Sequence, residues 1–194
     1  ILNSHVEVPI ASLLARLGLS PNTVTLLGLV GAGGSAYLLS TGRLWQGGVV
    51  LVVSGLFDLF DGALARATDQ VSSFGSLLDS VVDRISEAVV LLGLLIFYHE
   101  RSSVEGTILV YLAFAGSIMV SYLRARSEGL GVECKIGVMT RPERVATLGI
   151  GLVIGQFWLA AVLVALGIIA GLTLLTSVQR LLHAGRELGR PGVD

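Results

Sequence analysis

The sequence predicts an all-α integral membrane bundle of six transmembrane helices preceded by an N-terminal interfacial amphipathic helix. The first observation behind this is composition. Of 194 residues, 53% are apolar and only 14% charged, with a mean hydropathy of +0.82, so there is too little polar surface to cover a soluble globule of this size. The second is the recurrence of six apolar stretches near the roughly 20 residues that a span needs. The third is the placement of basic residues, which gather in alternate loops.

Residues 1–20 are not apolar enough to span. Val6, Ile10, Leu13, Leu14 and Leu17 recur at near-helical intervals beside Arg16, the pattern of a short helix lying in the membrane interface. Gly18 to Asn22 then breaks that helix and starts the next, with Ser20 as cap and Pro21 at the first helical position. The predicted spans are residues 23–40, 44–60, 74–98, 104–123, 142–157 and 159–178. The last two form one apolar run divided near Gly155, Gln156 and Trp158, where a five-span alternative stays open. One domain, residues 21–180, is therefore expected, followed by a cytoplasmic tail at 181–194. Ile1 in place of a methionine predicts that part of the N-terminus has been removed.

Gly28, Gly31, Gly33 and Gly34 in the first span, and Gly149, Gly151 and Gly155 in the fifth, supply small-residue faces suited to close helix packing. The lone Cys134 has no partner for an internal disulfide and belongs to no metal-ligand pattern, so a structural role is expected. His5, His99 and His183 lie near ends or turns and are expected to be solvated.

With six alternating spans, Arg16, Arg66, Arg124, Arg126, Lys135, Arg141, Arg144, Arg180, Arg186 and Arg190 fall on one side, and only Arg43 and Arg101 on the other. This asymmetry predicts a multi-pass protein of the plasma membrane with both termini cytoplasmic. The formal net charge of -1 hides it, because the acids lie among the bases. No nucleic-acid partner is expected.

Four of those acids, Asp58, Asp61, Asp79 and Asp83, lie in an otherwise apolar setting, where a carboxylate is costly unless it meets a cation. Asp58 and Asp61 are three apart, on one side of a helix whose regular part is expected to end near Gly62. Asp79 and Asp83 are four apart near the start of the next helix, and Gly75 continues their face. A reversal between residues 66 and 73 would bring the pairs together. Oxygen ligands so grouped suit hard cations, and two magnesium ions roughly 3.5–4 Å apart could clamp a diphosphate for attack at phosphorus. Gly62 and Gly75 would leave room for a bulky nucleotide against the backbone. The competing reading makes the acids counter-charges for Arg66, Arg84 and the later arginines.

The full spacing, D-x2-D-G-x2-A-R-x8-G-x3-D-x3-D over residues 58–83, resembles the signature of the CDP-alcohol phosphatidyltransferases at every specified position. That resemblance implies a six-helix membrane enzyme, usually homodimeric, that transfers a phosphatidyl group from CDP-diacylglycerol, or a related substituted phosphate, to a hydroxyl acceptor and releases CMP. It implies that Asp58, Asp61 and Asp79 hold two divalent metals, Mg2+ or else Mn2+. By the same resemblance, Asp83 is the catalytic base with a secondary role at one metal. The CDP-alcohol pocket implied comprises Asn22, Thr25, Asp58, Asp61, Gly62, Ala65, Arg66, Gly75 and Asp79. A carboxylate near two cations has a lowered pKa and is a weak base, so Asp83 is expected to orient the acceptor as much as deprotonate it.

Residues 121–144 bear on the acceptor. Arg124, Arg126, Lys135, Arg141 and Arg144 are expected to converge at the cytoplasmic mouth, where such a cluster suits a phosphate-bearing alcohol. Positive-inside topology and anionic lipid headgroups would account for the same charges more simply. The Ser-Tyr-x-Arg-Ala-Arg-x-Glu segment at 121–128 and the basic segment at 141–144 resemble the actinobacterial and archaeal branch of the family that uses inositol 1-phosphate. That likeness implies acceptor-phosphate binding by the four arginines and Lys135, with Glu128 and Glu143 orienting the arginines.

Glycerol 3-phosphate, also anionic, is the alternative acceptor. Choline and ethanolamine are disfavoured, because a cationic headgroup wants acids or aromatic faces where this chain places arginines. An ion transporter would need ionisable residues continuing through the membrane depth, and a scaffold has no need for the aspartate spacing.

Overall fold

A computed structural model of the chain describes residues 14–189, apart from the side chain of Leu59. The interfacial helix expected over 1–20 lies mostly outside the described residues, as do Arg190 and the end of the tail; residues 14–16 are helical. Six longer helices follow: α1 (Pro21–Ser40), α2 (Leu44–Ala67), α3 (Ser73–Glu100), α4 (Val104–Glu128), α5 (Arg141–Gly155) and α6 (Ala160–Leu188). Among the described residues α1, α2, α4 and α6 are long and apolar enough to cross a membrane. Helix α3 is longer than most, with 28 residues, but carries Asp79, Asp83 and Arg84 in its first half and Glu87 just past its midpoint. Helix α5 has only 15 residues, fewer than a span ordinarily needs.

Local chemistry sets the helix ends. The Ser20 hydroxyl accepts the Thr23 amide at 3.2 Å and Pro21 opens α1, as the sequence predicts. At its far end Gly42 takes a φ of +82°, letting the amide of Arg43 reach the Leu38 carbonyl at 2.9 Å. Asp69 fills the same left-handed position after α2, with the Gln70 amide bonded to the Ala65 carbonyl at 2.9 Å. This stops the helix and starts the reversal toward α3. Gln156 to Leu159 form the turn that separates α5 from α6.

The chain forms two compact units, one up to Leu94 and one from Leu95 onward. In the first, α1 and α2 run antiparallel along small residues. A side chain at Gly31 would strike Ser54, and the Ser35 hydroxyl donates to the Gly47 carbonyl at 2.8 Å. Gly33 and Gly34 do not share in this packing: both face open space within 4 Å, because they point away from the Gly28, Gly31 and Ser35 stripe. Gly93 of α3 rests on the backbone of α1, where a Cβ would fall 2.7 Å from the Ala36 Cα and 2.9 Å from its carbonyl carbon. Backbone cannot rotate away. Gly93→Ala is therefore expected to destabilise by about 1–3 kcal/mol, measured as a lowered thermal midpoint in detergent, with Gly93→Leu worse.

In the second unit α6 packs against α4 and α5, burying Val162, Leu166, Ile169, Thr173, Thr176 and Arg180 at helical intervals. Gly116 gives way to Thr173, and Gly151 to Ala165. The connection from α4 to α5 is laid along α6 by its backbone. The Met139 amide donates to Thr176 Oγ1 at 3.1 Å, Arg180 Nε donates to the Ile136 carbonyl at 2.9 Å, and the His183 ring meets the Glu133 carbonyl at 3.2 Å. Cys134 is fully buried under this strap. His183 is half-buried with its ring on the Glu133 carbonyl in an exposed contact, and His99 is exposed.

Candidate active site

The aspartates arise from two helices meeting at a short reversal. Asp58 and Asp61 lie in the last turns of α2, Asp79 and Asp83 in the first turns of α3, and residues 68–72 connect the helices. The Ser72 hydroxyl caps α3 by accepting the Gly75 amide at 3.0 Å. Helix register places the four acids in two layers. Asp61 and Asp79 stand nearer the reversal, and Asp58 and Asp83 about one turn farther along their helices. Asp61 is 6% exposed and within electrostatic reach of both Asp79 and Asp58. Its Oδ2 accepts a 2.6 Å hydrogen bond from the Thr25 hydroxyl on α1.

A cavity of about 300 Å³ opens beside the outer pair. Asn22, Thr25, Asp61, Gly62, Ala65, Arg66, Gly75 and Asp79 all line it, which brings together the expected CDP-alcohol residues except Asp58. A Cβ on Gly62 would touch Arg66 Nη1 at 3.4 Å, and one on Gly75 would lie 3.4 Å from the Asn22 Oδ1. Among the described residues, no three carboxylate, imidazole or thiolate side chains stand at mutual metal-ligand spacing.

The second unit holds the basic segment. Arg124 pairs with Glu128 at 2.9 Å on the exposed end of α4, as the sequence suggested. Lys135 is also exposed and pairs with Glu133. Glu143 accepts from the Thr140 hydroxyl at the start of α5, a bond to the residue that caps the helix rather than to an arginine. Arg141 is half-buried and Arg126 exposed, whereas Arg144 is only 4% exposed, with Nη1 3.4 Å from the Met139 carbonyl.

Comparison with known proteins decides the family. The CDP-alcohol phosphatidyltransferase model matches residues 18–179. The chain belongs to that family. Among curated CDP-alcohol phosphatidyltransferase relatives, phosphatidylinositol phosphate synthase of Mycobacterium tuberculosis is 35% identical over 92% of this chain and 85% of its own. Archaetidylinositol phosphate synthase of Methanothermobacter thermautotrophicus is 33% identical over 89% of this chain and 87% of its own. The crystal structure of the M. tuberculosis synthase with CDP-DAG bound superposes with a TM-score of 0.87 at 34% identity, covering 98% of this chain and 97% of that one. The same synthase with manganese and citrate gives a TM-score of 0.86, covering 97% and 91%.

Two parts of this phosphatidyltransferase are not evident from the sequence. Pro21, Gln70, Val71, Ser72 and Ser76 also line the cavity. The Ser72-Ser73-Phe74-Gly75 run is a readable cap before a helix and could have pointed to Ser72 and Ser76, while Gln70 and Val71 follow no pattern. Arg180 is, by sequence, a topological charge beyond the sixth span. Helix α6 instead continues past it, and Arg180 is 3% exposed, donating to the carbonyls of Ile136 and of Val120, the latter at 2.6 Å. It lies within electrostatic reach of Arg124 and Arg144.

Proposed function

We propose that the protein transfers a phosphatidyl group from CDP-diacylglycerol to inositol 1-phosphate, giving phosphatidylinositol phosphate and CMP. The observation that carries this reading is the single cavity lined by the motif residues Asp61, Gly62, Ala65, Arg66, Gly75 and Asp79 together with Asn22 and Thr25. The names of the relatives, and the CDP-DAG bound by one of them, support it.

Asp58, Asp61, Asp79 and Asp83 form an all-oxygen donor set whose mutual repulsion a hard divalent cation relieves. Two Mg2+ ions are the proposed occupants, with Mn2+ a substitute, and bound there they supply charge neutralisation for the diphosphate. Binding a cation would draw the carboxylates closer than they stand in the protein alone. Gly62 and Gly75 would admit the nucleotide close to backbone, with Arg66 lining the same cavity. Asp83 orients the acceptor hydroxyl and takes its proton. The hydroxyl oxygen forms a new bond to the phosphatidyl phosphorus, and the bond from that phosphorus to the CMP oxygen breaks with the electron pair leaving on CMP. Arg124, Arg126, Lys135, Arg141 and Arg144 are the proposed hold on the acceptor phosphate.

In this reading α3 and α5 also cross the bilayer, giving six spans with the aspartates at the cytoplasmic face of the plasma membrane, and the enzyme works as a homodimer. CMP release by the purified protein with CDP-diacylglycerol and Mg2+ tests it, with inositol 1-phosphate, glycerol 3-phosphate, inositol and serine supplied separately. Turnover is expected with inositol 1-phosphate alone. Turnover restricted to glycerol 3-phosphate would keep the donor site and reject the acceptor, and absence of CMP release with every one of the four acceptors rejects the proposal.

A further inference from the structure

We infer that helix α1 is the template for the metal-binding carboxylates of α2: Thr25 is a positioning residue that fixes Asp61 for a divalent cation, and Gly28 leaves the space that Asp58 occupies. The inference rests on the metal-ligand role proposed above for these two aspartates. Thr25 and Gly28 are three apart on α1, and Asp58 and Asp61 three apart on the antiparallel α2, so each α1 position faces one acid. The Thr25 Oγ1 lies 2.6 Å from the Asp61 Oδ2, and both residues are buried, at 3% and 6% exposure. The carbonyl of Pro21, one turn back, is 3.1 Å from the same hydroxyl. One hydroxyl carries one proton, and an ionised carboxylate is the stronger acceptor, so the proton belongs to Asp61.

A threonine in a helix is confined to two χ1 rotamers, and the one adopted by Thr25 sets its hydroxyl between the Pro21 carbonyl and the Asp61 carboxylate. The backbone of α1 therefore sets where that hydroxyl stands, and through it the plane of the Asp61 carboxylate. One carboxylate oxygen is thereby engaged by Thr25, leaving the other for a cation without the entropy of finding its orientation. At the neighbouring position, a Cβ on Gly28 would fall 2.8 Å from the Asp58 Oδ1. Any side chain there competes with the carboxylate for its place.

The test is Mn2+ binding to the purified full chain in detergent, read by the electron paramagnetic resonance of free Mn2+, alongside turnover as a function of Mg2+. Thr25→Val is expected to raise the half-saturating concentration of both metals about tenfold. The metal-free thermal midpoint should shift by only a few degrees. Thr25→Ser, which keeps the hydroxyl, should bind Mn2+ nearly as tightly as wild type, and Gly28→Ala should weaken Mn2+ binding. Thr25→Ala is the second variant should the valine misfit, with the same expectation. Wild-type Mn2+ affinity in Thr25→Val or Thr25→Ala, while Asp61→Asn loses it, overturns the positioning role and leaves the metal role standing. Unchanged Mn2+ binding in Asp61→Asn overturns both.

Discussion

Asp79→Asn is expected to lower CMP formation by about three orders of magnitude, roughly 4 kcal/mol of transition-state stabilisation, without unfolding the protein. Asp79 lines the cavity beside Asp61 and is half-buried in the first turns of α3. Asparagine keeps its shape and removes the charge, so packing is preserved while one anionic oxygen donor is lost. The paired measurements are CMP release at saturating donor and the elution profile and thermal midpoint of the variant. Chelation of the wild-type protein should stop turnover in the same way, and added Mg2+ should restore it. Full activity in Asp79→Asn with the metal still required would remove Asp79 from the ligand set.

Arg180→Met is expected to produce the largest structural effect of any single basic residue. Its guanidinium joins α4, through the Val120 carbonyl at 2.6 Å, to the strap before α5, through Ile136 at 2.9 Å. Methionine fills much of the volume but leaves both carbonyls without that donor. The loss should be about 2–5 kcal/mol, seen as a fall in thermal midpoint of roughly 5–15 °C. The strap carries Lys135 and leads into Arg141 and Arg144, so KM for the phosphorylated acceptor should rise more than KM for the donor. Arg180→Lys should recover only part of the stability, because one ammonium cannot span both carbonyls as the planar fork does. Equal stability of Arg180→Met and wild type would show that the two contacts do not secure the strap.

The donor site is legible in the sequence because its chemistry constrains residue type and spacing together. Carboxylates at helical intervals on two successive helices, with glycines beside them, fit the proposed metal-assisted diphosphate site, and the match of the full spacing to the family signature is what sets the counter-charge reading aside. Ser20 and Pro21 likewise announce the start of α1. Whatever depends on a partner distant in sequence is not legible. Arg180 finds its acceptors 44 and 60 residues away, and along the chain it looks like any basic residue after an apolar run. Thr25 reads as an assistant in the substrate pocket; its contact with Asp61, across 36 residues, is fixed by the register of α1 on α2. Gly33 and Gly34 are indistinguishable from Gly28 and Gly31 until that register is known. Gln70 and Val71 reach the cavity through the path of a turn rather than through any periodicity.

Helix α5 has 15 residues and so rises only about 22 Å, against a hydrocarbon core of roughly 30 Å. The turn after it carries Phe157 and Trp158 at 90% and 61% exposure, and no charged residue lies between Arg144 and Arg180. In the six-span reading proposed above, a helix this short with so apolar a turn after it matches a thin bilayer better than a thick one. In that reading lipid around it would thin to meet it, at a cost that grows with every added ångström of mismatch. The acyl-chain length of the surrounding membrane thereby becomes a variable of the enzyme's stability, one that thermal midpoints in bilayers of increasing thickness should trace.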